Sequence, residues 1–147
     1  MKKFILLVTS FLIISCSTSE TNISSLNEDE RWNHRAENTE IIRDDFGIPH
    51  IYGKTDADVV FGMLYAQCED DFNRVERNYI WAIGRLAEVE GEKALYSDVR
   101  ANLYMTQEEA ILNYDNSPKW LQELCIAFAD GINFYLKNHP EVTPKLI

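Results

Sequence analysis

Two short apolar runs, Ile41-Ile42 and Ile51-Tyr52, stand on either side of a polar corner, Asp44-Asp45-Phe46-Gly47-Ile48-Pro49, and this pattern constrains the fold more than any other. It predicts two short strands joined by a turn, since β-branched and aromatic residues favour extended backbone while Asp, Gly and Pro favour corners. Gly47 permits a positive φ at that corner. Pro49 offers no backbone N–H, so the second strand begins after it or lies at an edge.

Helical patterning follows. In Lys54-Thr55-Asp56-Ala57-Asp58, Thr55 can accept from the backbone of Asp58 while the Asp58 side chain reaches back, a capping box. Acidic residues in the first turn suit the helix dipole. Val60, Phe61, Leu64, Tyr65, Cys68, Phe72, Val75, Tyr79 and Ala82 then recur at spacings of three and four, predicting an amphipathic helix over 56–83. Gly62, on or near its apolar face, predicts close approach of another element. Gly84 and Gly91 are break points enclosing a further turn or two of helix. Residues 92–105 lack clear periodicity and read as a loop or short helical piece. Thr106 and Glu109 form a second capping box for a short helix to about Tyr114. Ser117-Pro118 is expected to start a third helix, with Ser117 as cap and Pro118 at the first helical position. Leu121, Leu124, Cys125, Phe128, Ile132 and Tyr135 trace its apolar face, and it ends before His139-Pro140.

Upstream, Met1-Lys2-Lys3 precedes an apolar run from Phe4 to Ile14, a secretory leader too short to span a membrane as a helix. The run closes on Ile13-Ile14-Ser15-Cys16, which resembles the bacterial lipobox. That resemblance implies a signal peptide over residues 1–15 and a lipid anchor on Cys16, with Ser17 pointing to an outer-membrane lipoprotein facing the periplasm. Residues 16–38 are polar with almost no apolar periodicity and read as a flexible tether. The folded part is therefore expected over 39–147, short for an independent, well-buried core. The formal charge of −10, made two units more negative by loss of Lys2 and Lys3, argues against a nucleic-acid partner. Cys68 and Cys125 fall on apolar helix faces, where a free Cys behaves as a small hydrophobe. A disulfide between them is left open.

The run Ile41-Ile42-Arg43-Asp44-Asp45-Phe46-Gly47-Ile48-Pro49-His50-Ile51 resembles the opening of the first chain of the penicillin acylase family of N-terminal-nucleophile hydrolases, and the likeness continues. Gly62-Met63-Leu64-Tyr65-Ala66-Gln67-Cys68-Glu69-Asp70-Asp71, Gly84-Arg85-Leu86-Ala87-Glu88-Val89-Glu90-Gly91 and Phe128-Ala129-Asp130-Gly131-Ile132-Asn133 are similar to later family segments. Cys68 stands where the family commonly has Ala, Asp71 where it has Arg or Asn, and Asp130 at a variable position. Glu69-Asp70 and the lipobox look more like the acyl-homoserine-lactone and aculeacin acylase branch than the penicillin G branch. The resemblance implies an α+β fold, mainly helical with an N-terminal β-hairpin, forming part of an αββα N-terminal-nucleophile hydrolase. Residues 39–147 would be the incomplete N-terminal part of its first (α) chain.

Such an enzyme attacks a linear amide with an N-terminal Ser whose own α-amine is the base. The resemblance places that Ser, the oxyanion-hole donors and the acyl-pocket residues beyond this chain, so no catalytic or substrate-binding residue is expected here. The missing second (β) chain is the expected partner. Ser97 and Ser117 lack nucleophile-elbow context. His50 is expected to hydrogen-bond across the strand–helix junction. Arg43 beside Asp44 and Asp45, and Arg74, Arg77 and Arg85 along the helix, predict structural ion pairs. No metal or cofactor is expected of this chain. Where the complete family member holds calcium, the resemblance puts its ligands mainly in the second chain. The alternative reading is a non-enzymatic lipoprotein remnant with a structural or binding role. Of Phe61, Phe72, Trp81, Trp120 and Phe128, several should be exposed when the chain stands alone.

Overall fold

The computed structural model describes residues 26–145. The leader and Cys16 lie outside the described residues. Along the chain run α1 (Glu28–Glu37), β1 (Thr39–Arg43), β2 (Pro49–Gly53), α2 (Asp56–Ala82), α3 (Ala87–Glu90), a 3-10 turn (Glu92–Ala94), α4 (Leu95–Tyr104), α5 (Gln107–Asp115) and α6 (Lys119–Asn138).

The strands pair antiparallel, with Ile41 opposite Ile51 and Ile42 opposite His50. Gly47 turns the corner at φ 79°. Pro49 opens β2, opposite Arg43, and the two-stranded sheet leaves its N–H-less side at an edge. Thr39, Ile41 and Ile51 point at α2, and Gly62 is where they meet it. A Cβ there would fall 2.5 Å from the Thr39 methyl and 2.8 Å from Ile51, so the absence of a side chain lets sheet and helix touch.

The capping box expected of α2 is present: the Thr55 hydroxyl accepts from Asp58 N–H at 3.2 Å and Asp58 Oδ2 accepts from Thr55 N–H at 3.1 Å. α2 is interrupted at Asp71 (φ −163°, ψ 82°), whose carboxylate accepts from the Arg74 N–H and so restarts the helix. α6 crosses α2, and Leu64, Cys68, Phe72, Ile132 and Tyr135 form the main core between them. The rings continue it as a chain. Phe61 meets Phe134 at 5.5 Å, Tyr65 meets Tyr135 edge-on at 5.8 Å, and Phe72 stacks on Tyr135 at 5.7 Å. Gly131 sets the separation at the crossing, since a Cβ on it would lie 2.5 Å from the Phe61 carbonyl oxygen. A smaller cluster of Ile80, Leu86 and Ala94 anchors the far end of α2. Asp98, buried on α4, holds that corner by accepting from the Leu86 and Ala87 N–H groups at 2.9 and 2.7 Å.

Three expectations need correction. The tether read over residues 16–38 contains a helix from Glu28. Asn27 caps it in a reciprocal box with Glu30, and its buried contacts are ionic, so no apolar period marks it. The third helix starts one residue later than read. Pro118 is its cap, with extended backbone, while the Ser117 hydroxyl donates back to the Tyr114 carbonyl at 2.7 Å. Residues 92–105, without clear period, are almost wholly helical.

Candidate functional site

Two of the four segments that carry the family likeness, 41–51 and 62–71, meet at the root of the hairpin. Arg43, the last residue of β1, donates from Nη1 to the Gly47 carbonyl at 2.9 Å and from Nη2 to Glu69 Oε2 at 3.0 Å. Its Nη1 also pairs with Asp70 Oδ1 at 2.9 Å. The corner and the middle of α2 are thus joined through one guanidinium, which the hydrogen bond to Glu69 holds more firmly protonated. The adjacent Asp44 and Asp45 were the expected neighbours of Arg43, but Glu69 and Asp70 across the junction take it. Asp44 instead builds the turn: its Oδ1 accepts from the N–H groups of Phe46 and Ile48, both at 2.9 Å. The Ile48 N–H, first, then the Phe46 N–H and His50 keep its carboxyl below the ordinary carboxylate value, and desolvation opposes them.

His50 does not bridge to the helix as expected. Pro49 and Ile51 occupy the inward positions of β2, so His50 projects outward, half-exposed, with Nε2 3.4 Å from Asp44 Oδ2. The other arginines do form the expected ion pairs: Arg74 with Asp71, Arg77 with Glu90, and Arg85 with Glu88, the last in fork geometry at 2.6 Å for both bonds.

A second cluster, missed by sequence reasoning, lies where α1 crosses α2 and α6. Asp130 is 2 % exposed, and it accepts from Arg31 Nε and Nη2 at 2.7 Å each, Trp32 Nε1 at 2.8 Å and Arg35 Nε at 3.2 Å. Arg35, itself buried, places Nη1 3.6 Å from Asp58 Oδ1, and neither of these two atoms has a hydrogen bond. The hydrogen bond to Asp130 raises the pKa of Arg31 above its ordinary value. Lys137 flanks the cluster, 2.7 Å from Asp29 and over the Trp32 ring. The signal that could have found it was Arg31-Trp32-x-x-Arg35, one face of a helix beginning at a capping box.

Among the described residues, none of the candidate nucleophiles has a base. Ser97 Oγ accepts from Trp81 Nε1 at 2.7 Å. Burial pushes the Cys68 thiol up to about 11, so it is a packing residue at neutral pH. Cys125, expected on an apolar face, is exposed, and both cysteines are free, which closes the question of a disulfide between them in this structure. His139 stacks on Tyr135 and sets Nδ1 3.0 Å from Glu141. Among the described residues, no group of three or more His, Cys, Asp or Glu side chains converges on a point where a metal ion could sit.

What the molecule does present is apolar surface. Phe61 and Phe72 are buried, but Trp81, Trp120 and Phe128 are exposed, Trp120 by 63 %. Tyr96, Val99, Leu103 and Tyr104 on α4, Ile111 and Leu112 on α5, and Phe46, Ile48 and Tyr52 on the hairpin are exposed as well.

This frame, a hairpin seated on a long helix that is crossed by a second, is similar to part of a solved penicillin acylase chain. It superposes on a thermostable penicillin G acylase from Alcaligenes faecalis with a TM-score of 0.63, over 73 % of this chain and 58 % of that one, at 24 % identity. The sequence itself goes further: residues 38–146 match the model of the penicillin amidase family, and the chain belongs to that family. It is 30 % identical over 109 residues to the acyl-homoserine lactone acylase QuiP of Pseudomonas aeruginosa and 28 % identical over the same length to that of Pseudomonas fluorescens. These matches take in 74 % of the chain but only 13 % of either relative. They agree with the branch to which Glu69-Asp70 pointed.

Proposed function

We propose that this chain is the N-terminal portion of a penicillin acylase-like amidohydrolase precursor that hydrolyses a linear amide, with an N-acyl-homoserine lactone as the favoured substrate class. One observation carries this reading: the family match runs without interruption through the hairpin, α2 and α6, the elements that build the frame. The acyl-homoserine lactone acylases among its relatives favour that substrate over a β-lactam side chain or a lipopeptide acyl group.

In this account the nucleophile is a Ser beyond the present residues, exposed when the precursor cuts itself. Its Oγ attacks the amide carbonyl while its α-amine takes the proton, the C–N bond breaks as the amine leaves protonated, and water then releases the acid. The present chain contributes the frame rather than the chemistry. Arg43 locks the hairpin to α2, and the exposed apolar residues of α4–α6 provide the surface on which the second chain is laid.

The test is expression of the complete reading frame. The expected result is cleavage to two chains, the second beginning with Ser, and release of homoserine lactone from a long-chain acyl derivative. Replacement of that Ser by Ala should abolish both. A single uncut product without turnover would overturn the reading. A lipid anchor on Cys16, facing the periplasm from the outer membrane, is part of the same proposal. It predicts an acylglycerol mass on the mature N-terminus that is lost in Cys16→Ala, and a mature chain beginning elsewhere would contradict it.

A further inference from the structure

Asp58 and Asp130 are the deepest charges of the two principal helices, 1 % and 2 % exposed. Asp58 belongs to the first turn of α2 and Asp130 to the middle of α6. Among the described residues, the cations that face them come from neither helix. Arg31 and Arg35 of α1 supply them, with Arg35 reaching both carboxylates at once, Nε to Asp130 at 3.2 Å and Nη1 to Asp58 at 3.6 Å. Trp32 adds a third donor to Asp130. The end of α1 is fixed as well, because the Thr39 hydroxyl donates to the Arg35 carbonyl at 2.8 Å, and Ala36 packs against the cluster of Ala57, Phe61 and Ala127. The family match begins at residue 38, so the matched region contains both carboxylates and neither counter-charge.

We propose that α1 is a strap that closes the α2–α6 pair, and that the working domain of this chain begins at its Asn27 cap rather than at the hairpin. The physical reason lies in desolvation. An ionised carboxylate left buried without a partner is strongly destabilising, whereas removing both members of a buried ion pair is often nearly neutral. With α1 in place Asp130 accepts from three residues through four N–H groups. With α1 detached, Asp130 loses the donors of Arg31, Trp32 and Arg35, Asp58 keeps only the Thr55 donors of its capping box and loses its one counter-charge, and the apolar cluster beside them loses Ala36. Those carboxylates then draw water to the edge of the crossing that α1 had covered. Hence α1 and the α2–α6 crossing should open together, although α1 touches them mainly through polar atoms.

This makes a rescue experiment decisive. In the full chain, amide hydrogen exchange would be followed in α1, in the first turns of α2, and over residues 127–135 of α6. Arg31→Gln with Arg35→Gln should unprotect α1 and lower protection at the α2–α6 crossing by about a hundredfold or more, the range expected when one side of a buried pair is removed. Adding Asp58→Asn and Asp130→Asn to that double variant should restore most of the protection at the crossing while α1 stays unprotected. An ordinary packing role for α1 would not give that pattern, because loss of its contacts would not be relieved by neutralising the acids. Unchanged protection at the crossing in the double variant would overturn the proposal. Failure of the fourfold variant to recover it would do so too, including where the double variant does not fold at all.

Discussion

At the scale of single residues, the α2–α6 crossing depends on what Gly131 lacks. Gly131→Ala would gain about 1 kcal/mol in helix propensity but would press a methyl to 2.5 Å from the Phe61 carbonyl oxygen and 3.0 Å from Leu64 Cβ. Overpacking of this kind costs about 1–3 kcal/mol, and here one partner is backbone that cannot swing aside. With the upper half of that range applying, a net loss of about 1–2 kcal/mol is expected, read from the shift in denaturant midpoint; unaltered stability would mean that the helices do not approach so closely. Asp44 gives a pH-dependent case. Its folded-state pKa is depressed below the ordinary 3.8, chiefly by the Ile48 N–H. Its contribution is therefore complete above 3.8 and is lost as pH falls through the lowered value. The amide proton resonances of Phe46 and Ile48 should hold their positions down to about 3.8 and then move together as the carboxylate is protonated. Movement centred above 3.8 would contradict the two hydrogen bonds.

At the scale of elements, α2 shows how much a sequence can disclose when burial and capping agree. Thr55, Asp58 and the apolar recurrence mark its start and end to within a residue, and its inward face as far as Val75. Beyond Val75 the buried positions are Glu76 and Ile80, and Tyr79 and Ala82, expected inward, are exposed. Thr55→Ala should cost about 1 kcal/mol, measurable in the same unfolding titration, and it should also loosen Asp58, which accepts from the Thr55 hydroxyl at 2.8 Å. A loss well below a few tenths of a kcal/mol would show the cap to be idle. α1 is the opposite case. Its inward face is Arg31, Trp32 and Arg35, and hydrophobic periodicity has nothing to register when a helix is buried through charge. The same limit hid the role of Asp130, which reads as a variable polar position until Arg31, nearly a hundred residues upstream, is seen beside it. His50 was misread for a simpler reason. Strand alternation decides which way residue 50 points, and Pro49 and Ile51 had already taken the inward side.

At the scale of the whole molecule, the family was legible in four short segments, and several of their residues make contacts that hold the frame. Arg43 with Glu69 and Asp70, and Gly131 against Phe61, are meetings that spacing alone could not have shown, whereas Arg85 with Glu88 is an i,i+3 pair and the close approach at Gly62 follows from its place on the apolar face of α2. The reaction was not legible in the same way, since no described side chain combines a nucleophile with a base. Trp81, Trp120 and Phe128 are exposed together with the outward apolar residues of α4 and α5, and apolar surface of this kind, where contiguous, marks an interaction face. The isolated chain should bind an apolar-surface dye strongly under native conditions, and weak binding with a sharp unfolding transition would mean that its core is complete. The central claim, that this chain is the frame of an acylase whose chemistry lies in its partner, is tested most directly by turnover. The purified 147-residue chain would be assayed with phenylacetyl and long-chain acyl anilides, alone and beside the matured product of the complete reading frame. The account predicts no release of aniline from the chain alone and steady release from the matured enzyme; turnover by the chain alone would contradict it.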